Sequence, residues 1–194
     1  MIIDLEGIAH KLTTKLYGET DLDEVEKAKI EYGLSLTLGV GLALVVSLGF
    51  ALVLGTVGYT LILFASTMAL RIFSGGAHCT SYDRCLALSL LVFVPGAYAI
   101  KVAGALPFQT QLAAYAGLSL LSLFYLVFKS VKLAALVLLI NALALGLCYL
   151  LTGGLAPQAL LSLAVGIGFQ TAMLTRPGQW LVGLADKVLK FVVS

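Results

Sequence analysis

The sequence predicts an all-α integral membrane protein with about six transmembrane helices, and three features carry that prediction. Hydrophobic residues fill 60% of the 194 positions and charged residues only 11%, against about 45–50% and about 25% in a soluble domain. Apolar runs follow one another at the length needed to cross a bilayer, about 20 residues for ~30 Å of hydrocarbon. Amphipathic segments flank these runs at both ends of the chain. The expected organisation is a single polytopic membrane domain over 1–194. An N-terminal amphipathic cytoplasmic region covers 1–31, a six-span bundle 32–175, and a C-terminal interfacial helix 178–194.

Leu5, Ile8, Leu12 and Leu16 recur at three and four residues, with Asp4, Glu6, Lys11 and Lys15 on other faces. This is the pattern of a helix lying along a membrane surface. Gly18 ends it, and Asp21 with Glu24 has the spacing of a capping box that opens a second helix through Val25 and Ile30. From Tyr32 to Leu70 no side chain is ionised at neutral pH. One helix over that stretch would be about 58 Å long, so a hairpin of two spans is required, turning near Gly55 to Gly58.

The third span runs from about Cys85 to Leu106, with a kink expected at Pro95-Gly96 and Lys101 snorkelling to the far interface. Pro107-Phe108-Gln109 reads as a turn, Gln111 to Phe128 as the fourth span, and Lys129 to Lys132 as a short loop. The fifth span covers about Leu133 to Leu151, and Thr152-Gly153-Gly154 turns into a sixth that ends near Thr175. Beyond the Pro177-Gly178 break, Trp180, Leu184, Val188 and Phe191 share one helical face beside Lys187 and Lys190, as in an interfacial helix.

Six spans place both termini on one side of the membrane. With that side cytoplasmic, Lys11, Lys15, Lys27, Lys29, Arg71, Arg84, Lys129, Lys132, Arg176, Lys187 and Lys190 face inward, and of the 12 cationic residues only Lys101 faces out. That bias follows the positive-inside rule and puts the segment between the second and third spans in the cytoplasm. A net charge of +2 without a dense basic run argues against nucleic acid as a partner. Three cysteines, an odd number in a hydrophobic chain, read as reduced thiols rather than a disulfide framework. The first thirty residues lack the form of a signal peptide.

Reactive side chains gather between Arg71 and Cys85, where a histidine, two thiols, two arginines and a carboxylate fall within fifteen residues. A cysteine attacks as the thiolate, which a nearby histidine can generate by taking its proton. On one unbroken helix His78 and Cys85 would lie about 10.5 Å apart along the axis, so they can cooperate only if the chain folds back between them. Gly75-Gly76 can end the second span with positive φ, and Thr80-x-x-Asp83 resembles a capping box opening the third. Cys85 would then sit near a helix N-terminus, where the dipole and Arg84 favour a thiolate and amide donors can hold an oxyanion.

Other roles stay open for several of these residues. Arg71 and Arg84 mark the inner interface or hold a substrate carboxylate; Asp83 caps a helix or orients His78. Cys79 is the weaker nucleophile candidate because its neighbour His78 would have to bend back to reach it, and Cys148 reads as packing. Asn141, an amide in an apolar span, is better suited to an interhelical hydrogen bond than to substrate. A zinc site of His78, Cys79 and Cys85 has suitable ligand types but no evident fourth ligand unless Asp83 supplies one. The other functional class to weigh is a small transporter or permease subunit, against which stand the absence of an internal repeat and of intramembrane charge.

Arg71, then Gly75-Gly76-x-His78, six residues and Cys85, together with Glu31-Tyr32-Gly33-Leu34 before the first span, resemble the accessory gene regulator B (AgrB-like) family. The resemblance implies a membrane cysteine endopeptidase of quorum sensing in the bacterial cell membrane. It gives His78 as general base and Cys85 as nucleophile, and it implies no cofactor. The implied substrate is a short pheromone precursor (AgrD-like), cut near its C-terminus through a thioester acyl-enzyme and cyclised to a thiolactone or lactone. Gly75, Gly76, Arg71 and Arg84 would lie along the bound peptide. Membrane lipid is the expected surrounding, and Gly33, Gly39, Gly41 and Gly49 on the first span would permit a homodimer.

Overall fold

The structure is a computed structural model that describes residues 5–17, 23–77 and 79–192. Among the described residues eight helices follow in order: α1 (Leu5–Tyr17), α2 (Glu24–Leu54), α3 (Val57–Ser74), α4 (Tyr82–Ala103), α5 (Phe108–Lys129), α6 (Val131–Thr152), α7 (Pro157–Met173) and α8 (Arg176–Val192). No strand occurs among the described residues.

Helix α1 packs on α2 through Ala9 and Thr13, which are buried, and leaves Ile8, Leu12 and Leu16 exposed as an apolar stripe. His10 Nδ1 lies 3.0 Å from Glu31 Oε2 and ties the two helices. Asp21 lies outside the described residues; the cap of α2 is Asp23, whose carboxylate accepts the Glu26 amide at 2.6 Å. From there α2 continues unbroken for 31 residues. The second helix and first span expected separately are therefore one element, and the expected border at 31/32 falls inside it. Charge ends at Glu31, whereas helical hydrogen bonding continues through Tyr32.

The first hairpin turns at Gly55, with φ 64° and its amide returned to Ala51 and Leu52 carbonyls, and at Thr56; Gly58 is already inside α3. Pro95 does not interrupt α4, which remains helical on both sides of it. Pro107 is the cap of α5, so Phe108 and Gln109 belong to its first turn rather than to a loop. A single residue, Ser130, separates α5 from α6, which replaces the expected four-residue loop. Helix α8 begins at Arg176, before Pro177-Gly178, because proline is tolerated in the first helical turn.

Helices α2 to α6 are each long and apolar enough to cross a membrane, making this a multi-pass membrane protein. Helix α7, with 17 residues, is shorter, and α8 leaves it at 86°. Helix α7 runs through the middle of the bundle between α3 and α5, with Leu160, Leu161, Ala164, Ile167 and Gln170 buried. On one side Ala43, Leu63, Phe64, Phe93 and Ile100 pack with Leu161; on the other Leu126, Val137, Leu160 and Ile167 form a second core. Helices α3 and α7 approach closely at Gly166, where an added methyl would run into Ser66 Oγ and sit 2.5 Å from the Leu63 carbonyl.

Asn141 makes the interhelical bond expected of it: Oδ1 accepts from Tyr115 at 2.8 Å and Ser119 at 3.2 Å, both on α5. Polar ties also show which helix ends lie together. At one end Lys101 donates to the Leu54 carbonyl at 2.7 Å and Tyr59 to Gln158 Oε1 at 2.6 Å. At the other, Tyr125 donates to the Leu174 carbonyl and α8 meets the start of α4. The helices thus alternate, and the α3–α4 turn shares its end of the bundle with α8.

Candidate active site

The α3–α4 turn is built by two glycines and anchored from three helices. Gly75 caps α3 with φ 66°, its amide on the Arg71 carbonyl at 2.8 Å, and Gly76 follows at φ 155°. L-residues rarely adopt either conformation. Gly76 is also confined, since a Cβ there would lie 3.3 Å from Gln170 Nε2 and 3.4 Å from Arg71 Nη1. Gln170, fully buried on α7, donates from Nε2 to the Gly75 carbonyl at 2.7 Å and to Ser74 Oγ at 3.0 Å. Arg71 spans the turn, donating to the Ala77 carbonyl at 3.0 Å.

On the far side of the turn Ser81 caps α4, in place of the expected Thr80. Its hydroxyl accepts the Arg84 amide at 3.4 Å and Arg84 Nε at 2.9 Å, and its carbonyl accepts the Cys85 amide at 3.0 Å. Thr80 is drawn away to α8, where Asp186 accepts its amide at 3.1 Å and its hydroxyl at 2.9 Å. Arg84 pairs with the same carboxylate at 3.0 Å, the side chains being 15% and 13% exposed. Tyr82 OH donates to Ser35 Oγ at 2.8 Å and binds α4 to α2. The chain therefore folds back before α4, and Cys85 stands in the first turn of that helix.

Cys85 and Cys79 both line a cavity of about 280 Å³ enclosed by α2, α3, α4, α7 and α8. It is lined by Arg71, Ala77, Thr80 and Asp83 together with apolar side chains that include Leu36, Val40, Phe64, Phe93 and Phe169. The Phe64 and Phe93 rings are 5.0 Å apart and Phe93 and Phe169 6.2 Å, an aromatic floor to the cavity. The two thiols differ electrostatically. Burial pushes the Cys79 thiol up to about 11, and nearby Cys85 and Asp186 add to the effect against the opposing pull of Arg84. At neutral pH Cys79 is thus a thiol and a poor nucleophile. Burial also disfavours ionised Asp186, but the Thr80 hydrogen bonds and Arg84 outweigh it and hold that carboxyl below its usual range.

Of the residues singled out from the sequence, Arg71, Cys79, Asp83 and Cys85 come together on the cavity wall. Gly75 and Gly76 form the turn beside them, and Arg84 turns its guanidinium to Ser81 and Asp186. His78 lies outside the described residues; the residues on either side of it, Ala77 and Cys79, both line the cavity. Cys148 sits against the second core, away from the turn. Among the described residues no group of three His, Cys, Asp or Glu side chains could hold a metal ion.

The family model for accessory gene regulator B matches residues 9–159. The chain belongs to the AgrB family. A relative in Clostridium perfringens (strain 13 / Type A), named "Putative AgrB-like protein 2", is 24% identical over 206 residues, spanning 94% of this chain and 96% of its own. No solved structure matches the chain. AgrB membership points to a role in accessory gene regulator peptide processing. The matched region contains the whole turn from Arg71 to Cys85 and ends before two residues that hold it, Gln170 and Asp186.

Those two were missed by the sequence reading, although each had a signal. Beyond Glu31 the chain has only two carboxylates, Asp83 and Asp186, and an isolated acid on an amphipathic helix invites the question of its partner. Gln170 is one of two amides in α7, with Gln158 near its start, and an amide in an apolar span is the signal that singled out Asn141. The bond between Ser35 and Tyr82, 47 positions apart, had no comparable signal.

Proposed function

We propose that this AgrB-family protein is a membrane cysteine endopeptidase that cuts a short AgrD-like precursor peptide and promotes its cyclisation. The observation that carries the proposal is the position of Cys85, in the first turn of α4 on the wall of a cavity lined largely by apolar side chains. His78 takes the Cys85 proton, and the thiolate attacks a carbonyl carbon near the precursor's C-terminus. The Arg84 and Cys85 amides are taken up by Ser81, so the oxyanion is assigned to the amides that open α4 ahead of them and to the Arg71 guanidinium on the same cavity wall. As the C–N bond breaks, the leaving amine takes the proton from His78 and Cys85 retains the acyl group as a thioester. A thiol or hydroxyl within the retained peptide then displaces Cys85, giving a thiolactone or lactone and free enzyme. Exchange at the thioester keeps the acyl group activated, whereas hydrolysis would discard that activation.

Apolar precursor side chains next to the cut bond suit the aromatic floor. The end of the bundle that carries the turn also carries the cationic residues other than Lys101, which supports a cytoplasmic site by the positive-inside rule. The test is purified protein mixed with the precursor encoded beside it. Cys85→Ala and His78→Ala should each abolish cleavage while still inserting in membranes, and Cys79→Ala should cleave normally. Mass spectrometry should find the acyl adduct on the tryptic peptide that begins at Cys85. Retained cleavage by Cys85→Ala would end this mechanism.

A further inference from the structure

Two thiols share one cavity wall, and a mechanism with a single nucleophile requires that one of them be kept out of the reaction. Asp186 is placed to do that. It reaches the turn from α8, which leaves α7 at 86° and lies across the start of α4. It accepts both the amide and the hydroxyl of Thr80, the residue after Cys79, and pairs with Arg84, the residue before Cys85. The same carboxylate acts on the Cys79 thiol and opposes its ionisation.

We propose that Asp186 is a positioning residue that selects between the thiols, fastening the Cys79 side of the turn to α8 as hydrogen-bond acceptor and leaving Cys85 alone to attack. This rests on the reading of Cys85 as nucleophile and adds a residue outside the family match. The charge arrangement agrees with it. The groups acting on Cys79 are Asp186 from α8 and Cys85 and Arg84 from α4, with Arg71 of α3 and Asp83 of α4 on the same cavity wall. A carboxylate near a thiol opposes its ionisation. Arg84, engaged by Asp186 and Ser81, is kept from stabilising a thiolate on Cys79 by direct pairing.

Alkylation of the full-length protein in lipid nanodiscs tests this without any precursor. Trypsin separates the two thiols, because cleavage after Arg71, Arg84 and Lys101 gives one peptide over 72–84 with Cys79 and another over 85–101 with Cys85. With iodoacetamide near pH 8 the wild type should label Cys85 first. Asp186→Asn removes the negative charge at nearly constant size and should raise the rate at Cys79 about tenfold for each unit by which its pKa falls. The pH profile of that labelling should shift downward. Equal acceleration at both thiols would show a merely structural hold, and an unchanged ratio of labelling would show no hold on Cys79; either result overturns the proposal. If Asp186→Asn does not insert, Thr80→Val is read for the same rise in the ratio of Cys79 to Cys85, and an unchanged ratio there is equally fatal. Cleavage by Cys85→Ala would remove the nucleophile assignment and leave this labelling result standing or falling by itself.

Discussion

Replacing Gln170 with leucine separates the stability of the bundle from the order of its reactive turn. The side chain is fully buried in α7, and its Nε2 bonds the Gly75 carbonyl and Ser74 Oγ. Loss of two such bonds removes about 0.5–1.5 kcal/mol each, so ~1–3 kcal/mol in all. Against this, Gln170 Oε1 is buried without a partner among the described residues, and removing a group in that state recovers about 1–3 kcal/mol. Leucine fills a similar volume, so the two terms nearly cancel for the protein as a whole. They do not cancel locally, because both lost bonds end on the turn. Thermal unfolding in nanodiscs should stay close to wild type. Amide exchange over 71–85 should quicken by about 5- to 150-fold, the ratio that corresponds to ~1–3 kcal/mol of lost protection, and precursor cleavage should fall in parallel. Exchange and cleavage both at wild-type rates would refute the role given to Gln170; a large loss of thermal stability would refute the cancellation.

Three further outcomes are expected. Gly76→Ala forces a side chain into φ 155° and within 3.3 Å of Gln170 Nε2, at a cost of about 1–3 kcal/mol, and should abolish cleavage in a protein that still inserts, as checked by limited proteolysis of membranes. Asp186 is held below its usual range, so its contribution is present above the unfolded carboxyl pKa of ~3.9 and is lost as pH falls through the folded value. Fluorescence of Trp180, the sole tryptophan, should therefore show an acid transition below pH ~4 that is missing in Asp186→Asn. Asn141→Leu should lower stability by about 0.6 kcal/mol and at most ~1.7 kcal/mol, as is usual for interhelical hydrogen bonds in membranes, and leave cleavage unchanged.

Much of the architecture could be read from hydrophobicity alone, because lipid selects long apolar helices and length fixes their number. Local breaks were harder. The bend near Gly55 was evident because the uncharged stretch from Tyr32 to Leu70 is too long for one span, whereas nothing in the sequence shows that the helix opened before Val25 and the first span are one continuous α2. Capping failed at Thr80. Its spacing to Asp83 fits a capping box, but Asp186, more than a hundred positions on, outcompetes that local use and leaves Ser81 as the cap. The need for a fold-back between His78 and Cys85 followed from helix geometry. What holds the fold-back, Gln170 and Asp186, is tertiary and became visible only with α7 and α8 in place.

The contact between α3 and α7 has a consequence for how the protein responds to its bilayer. These helices are joined at one end through Tyr59 and Gln158, in the middle at Gly166, and at the other end through Gln170. Sliding either helix along the other would break all three at once. The depth of the turn is thus set by the length of a protein-enclosed helix rather than by lipid thickness. A thicker or thinner bilayer must be met by tilting or thinning around the whole bundle, with the thiols carried along at a fixed height relative to the aromatic floor of the cavity.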